Sequence, residues 1–103
     1  MINLLTAGGF GDAALSFAKI HARFSDKLQD IKVTHVSTNF GYDDRLMPMV
    51  KDFYSSQNID SDVFVIPDWN WKEQNRKDFD FYLGTSWYAD NAGAEKSWEI
   101  NPN

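Results

Sequence analysis

The amino-acid sequence predicts an α/β fold, with a mainly parallel four-stranded sheet between layers of helix. Two observations carry this. Short apolar or branched runs alternate along the chain with segments of helical periodicity, and the first run breaks on the glycine-rich turn "AGGFGD" before helical spacing resumes.

Residues 2–7, "INLLTA", read as a short buried strand, and 12–24 as a helix whose polar residues Ser16, Lys19 and Arg23 recur at helical spacing. "IKVTHVS", 31–37, sets Ile31, Val33 and His35 against Lys32, Thr34 and Val36, the alternation of a strand. "TNFGYDD" is a loop whose Asp43 or Asp44 is expected to cap the next helix. Leu46, Met47, Met49, Val50, Phe53 and Tyr54 give that helix its apolar stripe, with Pro48 tolerated in the first turn. "DVFVIP", 62–67, is a third strand stopped by Pro67, and "DWNWKEQNRKD", 68–78, is too polar for a core helix and reads as a loop or irregular turns. "FDFYLGT", 79–85, is a fourth strand ending at Gly84. Right-handed crossovers turn this order into a Rossmann-like half-domain. In the commonest doubly wound order the fourth strand lies beside the first, and "AGGFGD" and "LGTSW" then face each other across a crevice outside the strand ends.

A chain of 103 residues with 43% hydrophobic and 16% aromatic content suits a single domain with a small core. The net charge is −5 and the ten Lys and Arg are scattered, which argues against nucleic acid and anionic membranes as partners. Without cysteine there is no disulfide and no thiolate metal site, and the expected location is the cytoplasm. No apolar run approaches the roughly 18 to 20 residues of a membrane span.

"GFGDAA", 9–14, fits the G-x-G-x-x-A form in which glycines let a phosphate approach the first amides of a helix. Dinucleotide binding is nevertheless disfavoured, and no cofactor is expected. The second strand ends in Ser37, Thr38 and Asn39 where a ribose-binding acid belongs, and Asp12 brings negative charge to the place a pyrophosphate would occupy. Asp12 has two readings that can coexist: a helix N-cap, or a carboxylate that takes a proton from a sugar or alcohol hydroxyl. Thr85, Ser86 and Trp87 follow the fourth strand and are candidates for substrate binding, Trp87 and Tyr88 by stacking on a sugar ring. The late aromatic residues Trp69, Trp71, Trp87, Tyr88 and Trp98 fit a core cover, an interface to a second domain or second copy, or a sugar platform. On a helical wheel His21 falls among Phe17, Phe24, Ala14 and Ala18 and is expected in the core, as is His35; no metal site is expected.

"LLTAGGFGDAALSFAKI" resembles the amino-terminal strand, turn and helix of the ADP-heptose:lipopolysaccharide heptosyltransferases and related GT-B glycosyltransferases. The resemblance covers about 20 residues and is topological beyond them. It implies that Asp12 is the base that deprotonates the acceptor hydroxyl and that Gly8, Gly9 and Gly11 give the acceptor close access. It also implies a sugar acceptor and a nucleotide sugar as ligands. Such enzymes have two Rossmann-like domains, so a chain of this length is expected to be part of the acceptor-side domain, a truncated or split piece not catalytic alone. The alternative is a small non-enzymatic binding protein or homo-oligomer.

Overall fold

Strands rich in alternating branched residues form the centre of the sheet. The structure is a computed structural model that describes residues 1–8, 10–37, 45–68, 70–83 and 98–100. Strand β1 (Ile2–Ala7) pairs in parallel with β2 (Ile31–Ser37), Ile2 opposite Ile31 through Ala7 opposite Val36. Strand β3 (Asp60–Val65) adds in parallel outside β2, and β4 (Phe81–Leu83) in parallel on the other side of β1. The fold is therefore α/β and Rossmann-like, with the fourth strand beside the first as the sequence predicts. A fifth strand that the sequence reading lacks, β5 (Trp98–Ile100), pairs antiparallel with β4 and completes the order β3-β2-β1-β4-β5.

Helices α1 (Phe10–Phe24) and α2 (Leu46–Ser56) cover one face, where Leu4, Ile31, Val33 and Leu83 meet Ala13, Ile20, Phe24, Val50 and Tyr54. On the other face Leu5, Ala7, Val36 and Ile66 pack with Trp71, Phe79 and Tyr82. Trp71 belongs to α3 (Asn70–Asn75), a helix in the stretch expected to be a loop. Its start is local chemistry: the Asp68 carboxylate accepts the Asn70 N–H at 2.9 Å and the Asp68 carbonyl the Trp71 N–H at 3.2 Å. One inward tryptophan, edge-on to Phe64 at 5.4 Å between ring centres, then docks a polar helix too short to show a stripe.

The phase of α1 corrects the sequence reading. The buried side is Ala13, Ser16, Ile20 and Phe24, whereas His21, Ala14 and Ala18 are exposed. His21 thus lies outside the core, its ring 5.7 Å from that of Phe17. The reason is Ser16, which counts as polar on a wheel but turns inward to bond a strand hydroxyl, rotating the stripe. Helix α1 also starts two residues earlier than expected, which puts Asp12 in its first turn rather than at the cap.

Helix α2 has Arg45 at its N-cap, with no side-chain capping bond; Asp43 and Asp44 lie outside the described residues. It ends in a Schellman motif: Asn58 adopts φ 62°, its N–H meets the Ser55 carbonyl, and the buried Ile59 donates to Tyr54, each at 3.0 Å. Strand β3 begins at Asp60 rather than at 62, and β4 is shorter than expected. Among the described residues no helix is long and apolar enough to cross a membrane.

The corrected phase of α1 has a direct check. Ile20→Ala should lower unfolding free energy in urea by about 2 to 4 kcal/mol through the cavity it leaves, while His21→Ala should change it by less than about 0.5 kcal/mol.

Candidate functional site

Residues 2, 4 and 6 of β1 face α1 and α2, and at the carboxyl end this row turns polar. Thr6 stands opposite His35 on β2 and opposite Leu83 on β4, and both Thr6 and His35 are wholly buried. Buried polar groups need partners, and two helices, β4 and the turn after β1 supply them. The Thr6 hydroxyl donates to the Leu83 carbonyl at 3.0 Å and meets the Ser16 hydroxyl of α1 at 2.9 Å. His35 Nε2 lies 2.9 Å from the Gly8 carbonyl, and Nδ1 lies 2.8 Å from the Tyr54 hydroxyl of α2. A carbonyl can only accept, so Nε2 carries the ring proton and Nδ1 accepts from Tyr54.

Electrostatics agree with this tautomer. Burial pushes His35 down to about 4, against the opposing pull of the Gly8 carbonyl, so the ring is neutral at neutral pH. Burial likewise raises Tyr54; a Ser16 hydrogen bond opposes that rise, and the negative charge of Asp12 adds to it. Asp12 therefore stands close to a phenol that stays protonated. A continuous chain of contacts runs from the Gly8 carbonyl through His35, Tyr54, Ser16 and Thr6 to the Leu83 carbonyl. With a carbonyl acceptor at each end and one proton per member, the neutral chain has one contact more than it has protons. The two donor directions part at the Ser16 hydroxyl, whose single proton can serve Tyr54 or Thr6 but not both at once.

Above this chain sits the turn. Gly8 adopts φ 130°, a conformation other residues rarely take, and its N–H donates to the Val36 carbonyl at 3.0 Å. A Cβ at Gly8 would come within 2.6 Å of the Asp12 Cβ and closer still to the carboxylate, so the half-buried Asp12 occupies the space a side chain at position 8 would need. Near the amino end of α1 its charge is favoured by the helix dipole. Gly11, within the first turn of α1, is different: a Cβ there meets no atom within 4 Å.

Of the residues singled out in the sequence, Gly8 and Asp12 are brought into contact at the carboxyl end of β1, next to β4. Gly11 is on the exposed side of the helix start. Gly9, Thr85, Ser86 and Trp87 lie outside the described residues, as does Tyr88. Thr6, Ser16 and Tyr54 were not recognised from sequence, and His35 was read only as core. The available signal was the pair of polar residues on inward strand positions, which must be answered by hydroxyls on the helices above. Compared with known protein families, curated proteins and solved structures, the chain matches none.

Two outcomes test this site. Gly8→Ala should destabilise the fold by about 2 kcal/mol or more in urea, since both φ and space oppose it, whereas Gly11→Ala should be neutral or stabilising by up to about 1 kcal/mol. The second concerns pH. Folded His35 takes its proton only near 4, while an unfolded His does so near 6.5. Between those values the unfolded state binds more protons, so this contribution is present above about pH 6.5 and is lost as pH falls towards 4, by up to about 3 kcal/mol. Urea unfolding of the wild type and His35→Gln over that range should show a steeper loss in the wild type.

Proposed function

We propose that this chain is an acceptor-side domain for glycosyl transfer, in which Asp12 takes the proton of a sugar hydroxyl. In that reaction the acceptor oxygen attacks the anomeric carbon of a nucleotide sugar. The bond from that carbon to the phosphate oxygen breaks, the nucleotide leaves with the electron pair, and the hydroxyl proton passes to the Asp12 carboxylate. The donor would be held by a second domain or partner subunit.

The observation that supports this reading is the seat of Asp12: a carboxylate on the first turn of α1, against Gly8, where β1 and β4 adjoin at the strand ends. Crevices of α/β sheets at that point are the usual ligand sites. A base there is held by a rigid helix start, and the neutral ring and phenol beneath it add no charge that would neutralise it.

A second reading, a self-associating protein without chemistry, draws on the outer side of α1. Ala14, Leu15, Ala18 and Ala22 are exposed there, Leu15 at 43%. Such a face would bury apolar area between two copies.

The test is an NMR titration of the chain with monosaccharides, heptoses included. Amide shifts centred on Gly8 and Asp12 that weaken about tenfold in Asp12→Asn, the loss of one charge-assisted hydrogen bond, are the expected result. Shifts elsewhere, or none alongside a concentration-dependent increase in sedimentation coefficient, would favour the second reading.

A further inference from the structure

His35 performs no step in the reaction above, yet it is buried, neutral and bonded at both ring nitrogens to different elements of the fold. Its Nε2 partner is the turn after β1, and its Nδ1 partner is α2. Glycine at positive φ gives the chain freedom at the very point where Asp12 needs a fixed seat. Something must hold the Gly8 peptide. The peptide unit before Gly8 is held by its N–H on the Val36 carbonyl, and the unit after it by the Gly8 carbonyl on the imidazole.

We propose that His35 and Tyr54 are positioning residues: the Nε2–H tautomer, set by the Gly8 carbonyl and the Tyr54 hydroxyl together, clamps the Gly8 peptide and through it the carboxylate of Asp12. The inference rests on reading Asp12 as the working group of the crevice. The physical case is one of rigidity. An imidazole presents its donor and acceptor at a fixed separation, and here it ties the first turn to the second helix across β2. If the clamp is lost, the Gly8 carbonyl is left without its buried donor and the peptide can rotate to find another. Rotation changes the space against which Asp12 packs, because the carboxylate lies where a Gly8 Cβ would be. Tyr54 contributes by donating to Nδ1, which leaves the ring proton on Nε2 to face the carbonyl.

The experiment uses the full chain and two kinds of NMR measurement. In the wild type, scalar coupling across the hydrogen bond from His35 Nε2 to the Gly8 carbonyl carbon should be visible; its absence overturns the clamp without any variant. In variants, the Asp12 carboxyl carbon is titrated. Asparagine at position 35 can place a polar atom where Nδ1 lies and keep Tyr54, but falls short of Gly8; glutamine reaches the Nε2 position. His35→Asn should therefore change the acid dissociation constant of Asp12 by about threefold or more, and His35→Gln should return it close to the wild-type value. Equal constants in the wild type and a folded His35→Asn, or a Gln variant no nearer the wild type than the Asn variant, overturn the proposal. Sugar binding that survives Asp12→Asn unchanged would sink the transfer reading and leave these outcomes as they stand, so the two failures are distinguishable.

Discussion

Two polar side chains, Thr6 and His35, lie side by side in the middle of a sheet face at zero exposure, and much of the upper half of the molecule answers to them. A buried hydroxyl and a buried imidazole without partners would each cost about 1 to 3 kcal/mol, a large share of a small domain's stability. Their partners come from four directions, the first being the Leu83 carbonyl of β4, which accepts the Thr6 proton. Helix α1 turns Ser16 inward, α2 presents Tyr54, and the turn after β1 offers its Gly8 carbonyl. The phase of α1 follows from this need, which outweighs the placement a hydropathy wheel would give.

The same polar row sits where a doubly wound sheet opens. With β4 beside β1, the strand order reverses between them, and the first turn of α1 stands at the carboxyl end of β1. Asp12 is there because Gly8 has no side chain to exclude it. Beneath it, low polarity keeps the imidazole unprotonated and the phenol protonated, so the layer under the carboxylate is polar but uncharged.

Much of this was legible in the residues. Alternation in "IKVTHVS" gave β2 to the residue, and the glycine turn correctly joined β1 to α1. The adjacency of β1 and β4 followed from the commonest doubly wound strand order. What escaped was decided by pairings between distant residues. Ser16 reads as surface until Thr6 is known to lie beneath it, and His21 reads as core only while Ser16 is placed outside. Tyr54 looks like one more apolar anchor of α2 until His35 is found within reach of its hydroxyl. Helix α3 hides because its docking depends on a single ring, Trp71, and its start on the Asp68 side chain rather than on a stripe. Strand β5 is too short for its alternation to be read, and pairs with β4 across a long separation in sequence. The candidate site was half visible: Gly8 and Asp12 could be named from the motif, but the polar chain that supports them could not.

The central claim is that a neutral His35, with its proton on Nε2, is locked between the first turn and the second helix. The most direct test is the ¹⁵N spectrum of its ring at neutral pH. The structure requires one protonated nitrogen, Nε2, one unprotonated acceptor, Nδ1, and a ring proton that exchanges slowly with water. A ring charged at neutral pH, or one averaging rapidly between its two tautomers, would contradict it.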